Sequence, residues 1–458
     1  MPRVRLEFGC TAAQATVDSA WLRGHNPAVK STRWWMLPVL LAVLVGGGWY
    51  FGFRAKGEDR ELPVYVTGGQ RMAEGVEIYR RGSDAKAFTY PPFAALPFVP
   101  FAALPAEWQP PAWFAINFVI LALLVRWLHG YARTERVGLG PPRLLWFWLV
   151  TAIVGGRHVV SVLTNQSHDL FIAGLVGMTA ASWHRARAWA GAFAGLGAAV
   201  KATPLLFLGL FGLRGRFGAV AWLLAAAVVA TVLPDLLCPR ADGAAWWRAW
   251  YDGNLRGLEV GGAAQAAGAW NAHSILNQSL GGTLVRLFRP VEVADSVFVL
   301  GPPGSVLLFE LPPAAFRVLQ LAAQIAVLTV IAVGVRAAAR GVRQASDAAA
   351  AQAAVALGEC AAIACGMVLL SPQSSKSHFC VWLFPVAFVI DRLLRGRRDW
   401  LALGLFVAGA VVGLLAKDLL GRDLGNRVLG LGNVTWATVL FLLATVRLLG
   451  GLGRGGAR

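Results

Sequence analysis

Trp113-Phe-Ala-Ile-Asn-Phe-Val-Ile-Leu-Ala-Leu-Leu-Val-Arg-Trp-Leu128 is an apolar run with a single charge near its end, and Arg133, Arg136 and Arg143 follow it. A run of this kind reads as a membrane helix, and the arginines behind it mark its far end as cytoplasmic under the positive-inside rule. The whole chain agrees: of 458 residues 57% are hydrophobic and 14% charged, with 19 Trp and 24 Phe, and the mean hydropathy is +0.58. That is too apolar for a soluble chain of this length. The expected fold class is an all-α polytopic membrane protein.

The formal charge of +18 does not point to nucleic acid, because the Lys and Arg residues lie between apolar runs rather than on one basic domain. Cys10, Cys238, Cys360, Cys365 and Cys380 have no metal-like spacing and mostly lie in or beside apolar runs, so they read as packing residues. No metal and no cofactor is expected.

Upstream, Trp34 to Phe53 is an apolar run with Trp34, Trp35, Trp49 and Tyr50 as interfacial anchors, preceded by a basic tail over 1–33 that reads as cytoplasmic. If Pro91 to Pro105 crossed the bilayer, the arginines after 126 would fall outside. Parity therefore makes that proline-broken run interfacial or re-entrant. Downstream, Leu144–Leu163 goes out and Leu170–Trp183 returns. Ala188–Val200 and Leu205–Leu213 read as half-spans turning around Lys201, and Ala219–Leu233 goes out. Phe316–Val335, Val355–Leu370, Phe379–Ile390, Leu401–Leu415 and Val434–Leu448 continue the alternation, which gives roughly ten to twelve membrane segments. The expected organisation is a tail over 1–33, a membrane domain over 34–449 with external loops over 54–110 and 234–313 carrying short interfacial helices, and a cytoplasmic tail over 450–458.

On that map the polar landmarks share the outer side: the 54–90 loop, Asn165-Gln-Ser-His-Asp169, the loop after Pro234, and Ser371-Pro-Gln-Ser-Ser-Lys-Ser-His378. Lys201 falls at an outward-facing break. Ionisable groups at membrane depth are expensive, so their gathering marks a site. His168 and Asp169, being adjacent, need not point the same way and are not read as an acid–base pair. Trp246-Trp-Arg-Ala-Trp250 offers either a sugar-stacking face or an interfacial aromatic belt.

Glu61-Leu-Pro-Val-Tyr65, then Tyr79, Tyr90-Pro-Pro-Phe and Leu104-Pro105 form one ordered set of landmarks. Asn165-Gln166, Lys201-Ala-Thr-Pro204, Asn277-Gln-Ser-Leu280 and Leu370-Ser-Pro-Gln-Ser followed by His378 continue it. In this order the chain resembles glycosyltransferase family 87, integral-membrane enzymes of the GT-C fold, over about residues 34 to 395. The resemblance implies transfer of a hexose, with mannose as the type, from a polyprenyl-phosphate sugar donor to a hydroxyl of a lipid or glycan acceptor. It further implies inversion, the external (periplasmic) face of the cell membrane, and membrane lipids but no nucleic acid as partners.

Such a reaction needs a carboxylate to take the hydroxyl proton and cations to receive the phosphate. The resemblance assigns the base to Glu61, where the family carries an Asp four residues before the Tyr, with Asp59 as second choice; the alternative is a solvated charge run, Glu58-Asp-Arg-Glu61. Lys201 and His378 fall to the phosphate, with Lys376 as a second charge, the alternatives being a snorkelling or carbonyl-bonded lysine and an interfacial histidine with a local hydrogen bond; Ser375 replaces a Trp of the family pattern. Tyr65, Tyr90, Asn165, Gln166 and Asn271 are candidates for sugar hydroxyls, or structural. A transporter or flippase is the competing class, but it would typically carry two related halves, and no internal repeat is visible.

Overall fold

The computed structural model describes residues 45–50, 60–79, 86–134, 138–183, 187–256, 271–291, 298–301, 305–344, 348–396 and 399–452. It divides into two units, 1–47 and 48–458. Of the first, only 45–47 are described, and they are helical. The second holds all the helices that follow. The 1–33 tail, most of the Trp34–Phe53 run, Cys10 and Asp59 lie outside the described residues.

In chain order the helices are α1 (Leu62–Ala73), α2 (Phe98–Ala102), α3 (Gln109–Thr134), α4 (Pro141–Asn165), α5 (Asp169–Ser182), α6 (Arg187–Val200), α7 (Phe207–Leu213), α8 (Phe217–Leu237), α9 (Trp246–Trp250), α10 (Leu280–Phe288), α11 (Pro313–Gln344), α12 (Ala348–Leu370), α13 (Leu383–Leu394), α14 (Trp400–Leu414), α15 (Lys417–Leu420), α16 (Arg422–Gly430) and α17 (Asn433–Gly450). Turns of 3-10 helix occupy Pro92–Ala94, Thr203–Leu206 and Lys376–Trp382. Among the described residues the only β pairing is the isolated bridge between Ser274 and Val299.

Among the described residues 7 helices are long and apolar enough to cross a membrane, and the shorter apolar helices Asp169–Ser182, Thr203–Leu213 and Trp400–Leu414 accompany them. The chain is an all-α polytopic membrane protein. The proline-rich run breaks into a 3-10 turn and the five-residue α2, neither long enough to span, because Pro91, Pro92, Pro97 and Pro100 remove the donors a continuous helix needs. Helix α12 is buried on every side from Ala354 to Leu369 and forms the centre of the bundle. Helix α8, by contrast, exposes Phe217, Val228, Val229 and Leu236, as a lipid-facing helix does.

Helices α6 and α8 pack backbone to backbone. A Cβ on Gly191 would stand 2.3 Å from the Ala219 carbonyl oxygen and one on Gly195 2.3 Å from that of Leu223, so only glycine allows the approach. The basic chain segments meet at one end. Tyr131 near the end of α3 bonds Asp391 of α13 at 3.3 Å, Arg395 donates to Ala132 O at 2.9 Å, and Arg447 of α17 pairs with Asp399 before α14 at 2.9 Å. Arg214 pairs with buried Glu359, which also accepts from Trp183 Nε1 at 2.9 Å. Glu359 sits at the middle of α12, roughly 18 Å along the helix axis from Ser371, so this lock is well separated from the polar landmarks at the helix's C-terminal end.

Candidate active site

Helix α4 ends at Gln166, a non-glycine residue in the left-handed region (φ 55°). Its N–H donates to Leu163 O at 3.3 Å and that of Ser167 to Val162 O at 3.1 Å, closing the helix in the Schellman manner. Trp113 Nε1 donates to Gln166 O at 2.9 Å and holds the reversal in place. The chain is thereby turned so that Ser167, His168 and Asp169 start α5 inside the bundle. Ser167 Oγ donates to Asp169 Oδ2 at 2.7 Å and accepts the Asp169 N–H at 3.2 Å, which fixes the carboxylate.

The other oxygen, Oδ1, faces two nitrogen donors: the Lys201 ammonium Nζ at 3.0 Å and the imidazole Nε2 of His378 at 3.7 Å. Lys201 stands where α6 stops, its N–H making a last bond to Gly197 O at 2.9 Å. Pro204 in the following 3-10 turn bars continuation. His378 lies on the turn Lys376–Trp382, where the Ser375 N–H donates to its Nδ1 at 3.2 Å. That bond assigns the Nε2–H tautomer, with the donor aimed at Asp169. Asp169, Lys201 and His378 line one cavity with Thr203, Ser371 and Ser374. Its volume is about 20 Å³, the space of a single water.

The geometry of the 3-10 turn explains why Lys376 is not in this cavity. At three residues per turn, His378 and Val381 share one side and line the cavity, while Lys376, Phe379 and Trp382 share another. There they meet His158 of α4: its ring stands 5.7 Å from Phe379 and 4.5 Å from Trp382, and its Nδ1 donates to Lys376 O at 2.8 Å.

Glu61 joins the same junction through the backbone. Its N–H donates to Asn165 O at 2.9 Å, and Asn165 Nδ2 donates to Ser377 Oγ at 3.2 Å, one residue from His378. The Glu61 carboxylate accepts from Tyr65 Oη at 3.4 Å and pairs with Lys86 at 3.5 Å. Tyr65, only 1% exposed, meets the Tyr90 ring edge-on at 5.6 Å. His168 stands edge-on to both, 4.8 Å from Tyr65 and 4.5 Å from Tyr90. Burial pushes both phenols well above their ordinary value, with the Glu61 and Asp169 carboxylates adding to the rise. Both therefore stay protonated as hydrogen-bond donors.

Asn271 is not among the cavity-lining residues; its side chain accepts the His273 N–H at 2.9 Å and shapes its own loop. That loop still reaches the site, through Asn277. Asn277 Nδ2 donates to Pro372 O at 3.0 Å, its Oδ1 accepts the Ser374 N–H at 3.0 Å, and Gln278 N–H donates to Ser374 O at 2.7 Å. Buried Arg286 braces the loop by donating to Ser274 O and Asn277 O at 2.8 and 2.7 Å. Of the Trp246–Trp250 cluster, Trp246 is buried and donates to Cys238 O at 2.7 Å, and Trp250 donates to Thr89 O at 3.2 Å. Trp247 is exposed.

Sequence reasoning set Asp169 aside with His168 as an adjacent pair. The two do point apart, His168 toward the tyrosines and Asp169 toward Lys201, but Asp169 is the hub of the cavity. A carboxylate at the start of an apolar span, at the depth of a lysine that needs a partner, was the available signal.

The model of glycosyltransferase family 87 matches residues 88–372, a segment that includes Tyr90, Asn165, Asp169 and Lys201 and leaves Glu61 and His378 outside it. The chain is 28% identical, over 93% of its length and 94% of the other's, to the polyprenol-phosphate-mannose-dependent alpha-(1-2)-phosphatidylinositol mannoside mannosyltransferase of Mycobacterium tuberculosis. The protein of the same description from Mycolicibacterium smegmatis is 28% identical over 76% of this chain and 73% of its own. No solved structure matches. With more than half of its residues under the family model and an all-α membrane bundle around the matched segment, this chain belongs to glycosyltransferase family 87.

Proposed function

We propose that this membrane glycosyltransferase moves a mannosyl group from a polyprenyl-phosphate donor to a hydroxyl of a lipid-linked glycan acceptor, at the external face of the membrane and with inversion. The observation that carries the reading is the convergence of Asp169, Lys201 and His378 on one cavity, with Glu61 joined to it through Asn165. Both curated relatives are described as polyprenol-phosphate-mannose-dependent and as acting on a phosphatidylinositol mannoside, which supports this donor and an acceptor of the lipid-glycan class.

In this scheme Glu61 takes the acceptor hydroxyl proton as the oxygen attacks the anomeric carbon. The new oxygen–carbon bond forms on the face opposite the phosphate, and the old carbon–oxygen bond breaks to release a polyprenyl phosphomonoester. Lys201 and His378 Nε2–H receive the growing negative charge on that phosphate. Tyr65 positions Glu61, and Tyr90 with Asn165 and Gln166 borders the sugar. A water-sized cavity cannot admit a sugar phosphate, so the donor must part the lining side chains to bind. The transporter reading is less well supported, since family membership carries transfer chemistry. The direct test uses purified protein with radiolabelled polyprenyl-phosphate mannose or nucleotide-linked mannose. Transfer from the lipid donor alone is expected; transfer from the nucleotide sugar alone, or from neither, would overturn the proposal.

A further inference from the structure

The turn Lys376–Trp382 has a charged side that the Asp169 cavity does not use. His158 Nδ1 donates to Lys376 O at 2.8 Å, seating Lys376 against α4. Its sequence neighbour Arg157 donates from Nη1 to Gly413 O at 2.9 Å, at the last turn of α14. Lys417 opens α15 just beyond that helix. The charges acting on the Lys376 ammonium are Arg157, Lys417 and Asp418, so Lys376 and two more cations meet a single carboxylate there. Lys376 is half-buried, and among the described residues its ammonium has neither ion pair nor hydrogen bond.

Arg157 is on α4 eight residues before Asn165, roughly 12 Å down the helix from the end that carries the active-site loops. Asp418 offsets only one of the three positive charges of Arg157, Lys376 and Lys417, which leaves a net positive cluster that a further anion would relieve. The surroundings suit a lipid better than a free ion. Leu419 is 72% exposed beside Lys417, and Leu424 is 53% exposed on the next short helix, which also bears Arg422 and Arg427. Short helices with leucines and basic residues side by side are the pattern of an element lying in the membrane interface.

We propose that Arg157, Lys376 and Lys417 form a second anion site that takes the phosphodiester of a membrane lipid, separate from the donor phosphate at Lys201 and His378. The site is a property of the α4, α14 and α15 junction and stands whether or not Glu61 is the base. It places an anionic lipid headgroup against the back of the turn that carries His378.

The test is native mass spectrometry of full-length protein, delipidated in neutral detergent and titrated separately with dihexanoyl phosphatidylglycerol and with geranyl phosphate. For Lys376→Gln the apparent Kd for the phosphatidyl lipid is expected to rise about tenfold, the loss of one charge-assisted contact. Adding Lys417→Gln, an exposed residue whose replacement leaves the fold alone, raises it further. Geranyl phosphate affinity stays at the wild-type value in both variants, and equimolar inorganic phosphate does not displace the lipid. Unchanged phosphatidylglycerol affinity in the double variant would overturn the proposal. So would displacement by inorganic phosphate, which would mark a free-anion site, or an equal loss of geranyl phosphate binding, which would merge the cluster with the donor site.

Discussion

Lys201 donates to Asp169 Oδ1 at 3.0 Å, so the lysine expected to meet a phosphate already has a carboxylate partner. The pair is the reason a cation can be stored in the bundle before substrate arrives. An ammonium has three donors and Asp169 occupies one, so a phosphate can share Lys201 without breaking the pair.

Removing the carboxylate leaves the ammonium uncompensated. Asp169→Asn is expected to lower stability by about 3 kcal/mol, as breaking one side of a buried pair does. Asp169→Asn with Lys201→Gln is expected to recover much of that loss, because no lone charge remains, while transfer stays abolished in both. Thermal unfolding in detergent, read beside a transfer assay, checks this. A single variant melting at the wild-type temperature would show that the pair carries no stability.

The glycine contact between α6 and α8 gives a fold prediction that does not depend on the chemistry. In Gly195→Ala the new Cβ would lie 2.3 Å from Leu223 O, and the helices must separate. Overpacking of this kind costs about 1–3 kcal/mol. A lower unfolding temperature is expected for Gly195→Ala and none for Gly209→Ala, whose Cβ meets nothing within 4 Å.

Alkaline pH should destabilise the protein through its buried tyrosines. Burial raises the folded-state pKa of Tyr65 and Tyr90 above the unfolded value of 10.0. Their contribution is therefore fully present below about pH 10 and is lost as pH rises toward the folded pKa. Wild-type unfolding temperature should fall above about pH 10. In the Tyr65→Phe, Tyr90→Phe double variant that part of the fall should be absent, and an equal fall would refute it.

Asn277 offers a test of the loop as a positioning element. Asn277→Ala strands the Ser374 and Ser279 N–H groups and takes one of two donors from the Pro372 carbonyl, at about 1–3 kcal/mol for buried polar groups left unpaired. It is expected to lower kcat with little change in donor KM, since the residue touches the turn and not the cavity. A rise in KM alone would place it in binding instead.

The spans were legible because hydrocarbon thickness sets the length of an apolar run, and among the described residues 7 helices have that length and composition. Lys201 and His378 were legible by contrast, as ionisable residues in breaks between apolar runs. Asp169 was not, since whether a carboxylate at a helix start faces inward depends on the preceding turn. Here Gln166 in the left-handed region decides it, and no local pattern announces that conformation for a non-glycine residue. Lys376 was grouped with His378 by sequence proximity, whereas the 3-10 period puts them on different sides.

In the proposed reaction Glu61 takes the acceptor proton. The most direct measurement of this step is the transfer rate of Glu61→Gln from radiolabelled polyprenyl-phosphate mannose, with Asp59→Asn in parallel and donor binding checked in each. The account predicts a kcat lower by about 10²–10⁴-fold in Glu61→Gln, with donor affinity and unfolding temperature retained and Asp59→Asn active. Full activity of Glu61→Gln, with or without loss in Asp59→Asn, would contradict it.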